Sequence, residues 1–144
     1  VVVLNTYPAK SLKELVAIAK ANPGKLNYTG TIGSIAHFMG EMLKSAGGID
    51  IVMVPNKLAA ESEVDVLAGR IEIWISTLST AIKQAKAGKV RVLGVGGGKR
   101  SAELPEAPTM AEAGLRDYAA VGWQGVMVAA GTPKNGTKIA SRGP

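Results

Sequence analysis

The chain contains no cysteine, a single histidine, and few aromatic residues: two tryptophans, three tyrosines and one phenylalanine. Without cysteine there are no disulfides, no thiolate nucleophile and no thiolate-ligated metal. The compartment stays open, because oxidising and reducing environments both hold cysteine-free proteins. One histidine and no cluster of acids at ligand spacing leave a metal ion without a ligand set, so neither metal nor cofactor is expected. With so few aromatics the core must be aliphatic. No apolar run reaches the roughly 20 residues that span a bilayer. The opening VVVLN is too short for a signal sequence and lacks its basic start, so any targeting peptide is expected to have been removed or never to have been here. Phosphate-binding fingerprints of the Gly-x-x-x-x-Gly-Lys and Gly-x-Gly-x-x-Gly types are missing, and so is a Gly-x-Ser-x-Gly nucleophile turn.

What remains is one domain's worth of chain, 144 residues with 47% hydrophobic and 19% charged. That balance fits a globular protein with a real core and is unlike a disordered one. The formal net charge is +6. Lysines and arginines are spread along the chain, mostly at helix ends, and the only adjacent basic pair is Lys99-Arg100. Aromatics are not interleaved with them, so no nucleic-acid partner is expected.

Periodicity divides the chain into alternating elements. Strands are expected at residues 1–4, 26–29, 51–54, 71–75, 90–95 and 121–130. Helices are expected from Ser11 to about Ala21 and over 34–46, 59–68 and 79–87, with a short one from Thr109 to Gly114. Ser11-Leu-Lys-Glu14 and Thr109-Met-Ala-Glu112 have capping-box spacing. In the second helix the stripe Ile35, Phe38, Met39, Met42 and Leu43 is expected to lie on a core. Short buried strands alternating with helices imply an α/β fold, a doubly wound, mainly parallel sheet flanked by helices. Ligands of such sheets bind beyond the carboxyl ends of the strands.

Two strand-to-helix turns share a chemistry. Thr29-Gly30-Thr31-Ile32-Gly33-Ser34 and Ser76-Thr77-Leu78-Ser79-Thr80 are rich in small hydroxyls and carry no acid. Alone, the first is most simply a plain turn capped by Ser34. Together, on strands that could be neighbours, they would aim two helix N-termini at one spot, which favours an anion. A carboxylate fits better than a phosphate ester, given the missing phosphate fingerprints. The N–H groups near Gly33 and Ser34 are expected to face an open cleft. The candidate ligand residues are therefore Thr29, Gly30, Thr31, Gly33, Ser34, Ser76, Thr77, Ser79 and Thr80. No catalytic residue is assigned, because neither turn has a partnering base near its serines. His37 is read as a packing or capping residue, and Glu61, Ser62, Glu63 and Asp65 as a solvated helix face. Lys99-Arg100-Ser101 is read as a solvated loop, and Trp74 and Trp123 as core or rim.

The runs NPGKLNYTGTIGSIAHFMGEMLK, VDVLAGRIEI, IKQAKAGKVRVLGV, KRSAELPEAPTMAEAGL and AAGTPK, in that order, resemble the substrate-binding receptors of tripartite tricarboxylate transporters, the Bug family. The resemblance implies a periplasmic location and one lobe of a type II periplasmic-binding-protein-like clamshell that closes on a small carboxylate. It implies residues 1–134 as the second lobe, with 1–8 as the segment crossing from the first lobe and 131–133 as the way back. Residues 135–144 are left as an irregular tail. The partners implied are the missing first lobe, the membrane components of the transporter, and a second copy through the exposed cleft face. The sequence departs from the family at Asn56-Lys57-Leu58, where Tyr-Lys-Gly is usual, and at Ser76, where an aspartate is common. Two other readings stay open: an enzyme acting on an acyl or phosphoryl group, and a ligand-sensing interaction module on the same scaffold.

Overall fold

The computed structural model describes residues 1–118, 120–122, 129 and 130. The elements in chain order are β1 (Val2–Leu4), α1 (Leu12–Ala21), β2 (Asn27–Gly30), α2 (Ile35–Gly47), β3 (Val52–Pro55), α3 (Ala59–Leu67), β4 (Ile73–Trp74), α4 (Leu78–Lys86) and β5 (Val90–Val92). They form one five-stranded sheet in the order β3-β2-β4-β1-β5. β2 is parallel to β3 and to β4, while β1 runs antiparallel to β4 and β5. Only β1 opposes the common direction, so the sheet is mainly parallel as expected.

Strand alternation sends side chains to two covered faces. Val3, Tyr28 and Ile73 pack with Leu12, Leu15 and Ala19 of α1 and Leu43 of α2. Their neighbours Val2 and Trp74 pack with Val66 of α3 and Ala81 of α4. The sheet is thus doubly wound, and among the described residues the buried hydrophobic side chains are aliphatic apart from Tyr28, Trp74 and Tyr118. Residues 1–4 are more than a crossing segment, since Val2 and Val3 are buried in the middle of the sheet.

Local chemistry accounts for the helix ends. Ser11 Oγ accepts the Glu14 N–H at 3.2 Å, and the Glu14 carboxylate accepts the Lys10 N–H at 2.8 Å. α2 stops where Gly48 takes a left-handed conformation, φ 56°, which glycine adopts without steric cost. Two expectations fail. Thr109 and Glu112 exchange both capping-box bonds (2.8 and 3.1 Å), yet residues 109–114 make only turns, because Gly114 follows at φ +103° before a full helix can propagate. The strand expected at 90–95 ends at Val92, although Leu93 N–H still donates to the Val1 carbonyl at 2.9 Å and Val95 forms a bridge with Thr109. Of the strand expected at 121–130, residues 123–128 lie outside the described residues, as do Trp123 and 131–144, while Val121 and Gly122 are exposed and not in a strand.

Candidate functional site

β2 and β4 are adjacent in the sheet, with Tyr28 opposite Ile73 and Thr29 opposite Trp74. Both strands run the same way, so their following turns leave the sheet side by side. α2 and α4 therefore begin at the same end of the sheet, and their first turns line one groove of about 1100 Å³. Thr31 and Ser34 line it from the first turn, and Ser76, Thr77, Ser79 and Thr80 from the second. Its far wall is the loop after β5, with Lys99, Arg100 and Ser101. Arg100 is committed elsewhere: its Nε donates to Glu112 at 2.8 Å and its Nη1 to the Pro105 carbonyl at 3.0 Å.

Each helix is capped by a hydroxyl at the groove. Ser34 Oγ accepts the His37 N–H at 3.4 Å, and Thr77 Oγ1 accepts the Thr80 N–H at 3.4 Å. Thr77 Oγ1 also donates to Thr80 Oγ1 at 3.0 Å and lies 3.3 Å from Ser79 Oγ. α4 starts one residue earlier than the sequence indicated, at Leu78, because Thr77 is the cap.

The first turn does not use its N–H groups as expected. Ser34 N–H donates to the Thr31 carbonyl at 2.9 Å, and Gly33 N–H donates to His37 Nδ1 at 3.1 Å. Neither is available to a ligand. His37 is thus a capping residue, accepting at Nδ1, with its ring stacked on Phe38 at 5.7 Å. The donors left over belong to the first helical residues, Ile35 and Ala36 of α2 and Leu78 and Ser79 of α4, whose N–H groups have no acceptor one turn back. The sequence missed these positions because it located the hydroxyls and not the hydrogen bonds that consume the turn.

Three nominated residues do not line the groove. Thr29 is 1% exposed, and its Oγ1 accepts the Asn56 Nδ2–H at 2.7 Å on the α3 side of the sheet. Gly30 abuts Ala36 and the His37 amide, while Gly33 turns outward at φ +77°. The apolar stripe of α2 also departs from expectation. Leu43 is buried, but Ile35 and Phe38 are 52% and 61% exposed. The first turn of α2 rests on the core through Ala36, with Met39 following, and this leaves Ile35 and Phe38 turned away from it. Ser62, read as part of a solvated face, is buried.

No carboxylate or imidazole is hydrogen-bonded to Ser34, Ser76 or Ser79 among the described residues, and no group of three metal-ligating side chains gathers there. Glu63, the acid at the groove, is bonded to Gln84 Nε2. A second depression of about 640 Å³ beside α3 holds Asp65 and Arg70, which pair with each other at 2.9 Å.

Parallel strands thus deliver two capped helix N-termini into one groove, an arrangement whose dipoles and free N–H groups favour negative charge. Residues 1–139 match the model of the tripartite tricarboxylate transporter family receptor, and the chain belongs to that family. Protein BugT of Bordetella pertussis is 33% identical over 123 residues, covering 85% of this chain and 38% of BugT. The solved structure of R. palustris Rpa4515 with adipate has a TM-score of 0.77 at 31% identity, over 83% of this chain and 40% of that one. The periplasmic binding protein BugD has a TM-score of 0.77 at 28% identity, over 83% and 40%. The chain thus spans about two-fifths of the length of these relatives.

Proposed function

We propose that this chain is the second, ligand-holding lobe of a periplasmic solute receptor, cradling a small carboxylate for uptake by a tripartite tricarboxylate transporter. The observation that carries the reading is the pairing of β2 with β4, which brings the N-termini of α2 and α4 to one groove lined by Thr31, Ser34, Ser76, Thr77, Ser79 and Thr80. Each terminus favours an anion by roughly 0.3–1 kcal/mol, and each charge-assisted hydrogen bond adds about 1.5–3. The adipate held by the R. palustris relative supports a carboxylate as the anion. Binding without turnover fits serines whose neighbours are hydroxyls and backbone amides, with no general base in reach. A first lobe would close over the groove, and the membrane components of the transporter would receive the closed form. Ile32, Ile35, Phe38 and Leu78, exposed around the groove, are the apolar face such a lobe would cover, and through it isolated copies would self-associate.

This chain alone should bind weakly. The polar terms amount to several kcal/mol gross, against about 4 kcal/mol or more of lost rigid-body freedom. The remainder is near the roughly −4 kcal/mol of a millimolar constant. Titrating the isotope-labelled chain with adipate should shift the amides of Ile35, Ala36, Leu78 and Ser79 with a dissociation constant of about a millimolar or weaker. Micromolar binding by the monomer would show that one lobe suffices. Shifts confined to the second depression would place the anion elsewhere.

A further inference from the structure

Asn56, at the end of β3, sits between the groove and the buried side of the sheet. Its Nδ2 donates to Thr29 Oγ1 at 2.7 Å and to Ser62 Oγ, and both of these hydroxyls are buried. Its Oδ1 accepts from Thr31 Oγ1 at 3.3 Å. Thr31 lines the groove, whereas Thr29 and Ser62 do not. An amide offers donors on one edge and an acceptor on the other, and here the donor edge meets Thr29 and Ser62 while the acceptor edge meets Thr31. The single hydroxyl hydrogen of Thr31 is then spent on Asn56, and only its lone pairs remain for the groove.

We propose that Asn56 is a positioning residue that makes Thr31 a hydrogen-bond acceptor toward the ligand, so that the site selects carboxylates bearing a hydroxyl or ammonium donor over plain ones. The inference rests on the carboxylate reading above and narrows it. The carboxylate itself goes to the helix N–H groups, which donate. Thr31 repels a carboxylate oxygen with its lone pairs and rewards a ligand O–H or N–H.

L-malate and succinate differ by one hydroxyl and serve as probes in amide-shift titrations of the 144-residue chain. The native chain should bind malate about three- to tenfold tighter, the fold-change of one net hydrogen bond. Asn56→Ala should bring that preference to about one, and so should Thr31→Val. In the Thr31→Val background, Asn56→Ala should change neither constant further, although it still lowers the melting temperature. This split separates positioning from a merely structural role, whose effect would be equal in both backgrounds. Should Asn56→Ala not fold, Asn56→Ser keeps a polar atom near Thr29 and Ser62 while being too short to bridge to Thr31. Equal binding of the two acids by the native chain, or a malate preference that survives Asn56→Ala, overturns the proposal and leaves the carboxylate site standing. Binding of neither acid removes both.

Discussion

At the scale of single residues, Gly40 shows how packing reverses a local preference. Replacing a mid-helix glycine with alanine ordinarily stabilises a helix by about 1 kcal/mol. Here a Cβ on Gly40 would clash with the ring edge of Tyr28, which is fully buried. The ring cannot step aside, because its hydroxyl donates to Glu41 at 2.8 Å and Glu41 also pairs with Lys44 at 3.1 Å. Gly40→Ala is therefore expected to destabilise by about 1–3 kcal/mol, the usual cost of overpacking. Urea denaturation checks this, and an increase in the midpoint would contradict it. Nothing in the stripe of α2 marks Gly40, since a helix pattern does not say which aromatic of another strand lies against it.

At the scale of elements, caps and edges matter most. Thr77 both caps α4 and lines the groove, and two substitutions separate those duties. Thr77→Ala should cost about 1 kcal/mol of stability through the lost cap. Thr77→Asp keeps an oxygen for the Thr80 N–H and should preserve stability, yet it places a negative charge where the proposed ligand anion would sit, so adipate shifts should vanish. Retained binding in Thr77→Asp would remove this helix terminus from the site. The open edge at β3 is guarded by its own sequence. Val52 and Asn56 donate inward to the Leu26 and Gly30 carbonyls, so the alternate residues Met53 and Pro55 face outward, and Pro55 has no N–H to offer.

For the whole molecule, titration reports on the buried tyrosines. Burial raises the Tyr28 hydroxyl, helped by its bond to Glu41, and burial pushes Tyr118 up to about 12. An acid whose folded value lies above its unfolded value, near 10, contributes stability that is complete below about pH 10 and is lost as pH rises through the folded values. At the other end, the Tyr28 hydroxyl, followed by Lys44, holds Glu41 below its usual carboxylate range, so its contribution is present above about pH 4.5 and fades in stronger acid. Melting temperature should therefore fall on both flanks. Tyr28→Phe should flatten both, whereas an unchanged alkaline flank in that variant would assign it to Tyr118 and Tyr7, whose hydroxyls burial also raises.

Much of this architecture was legible in the chain before any coordinates. The helices, the aliphatic core, the doubly wound class and the two hydroxyl-rich turns all follow from short-range patterns, because apolar spacing, caps and glycine stops act within a few residues of themselves. Six of the nine nominated ligand residues do line the groove. The rest was decided at long range. That β2 and β4 are neighbours, which puts two ordinary turns on one groove, depends on strand order, and strand order is a property of the assembled sheet. The same holds for Thr29, which local sequence placed with its neighbours in the loop. Strand alternation turned it to the α3 face, where Asn56 and Ser62, 27 and 33 positions away in the chain, hold its hydroxyl. Sequence determines what a turn can donate. Only the folded sheet determines which donors are already spent on the protein and which are left for a ligand.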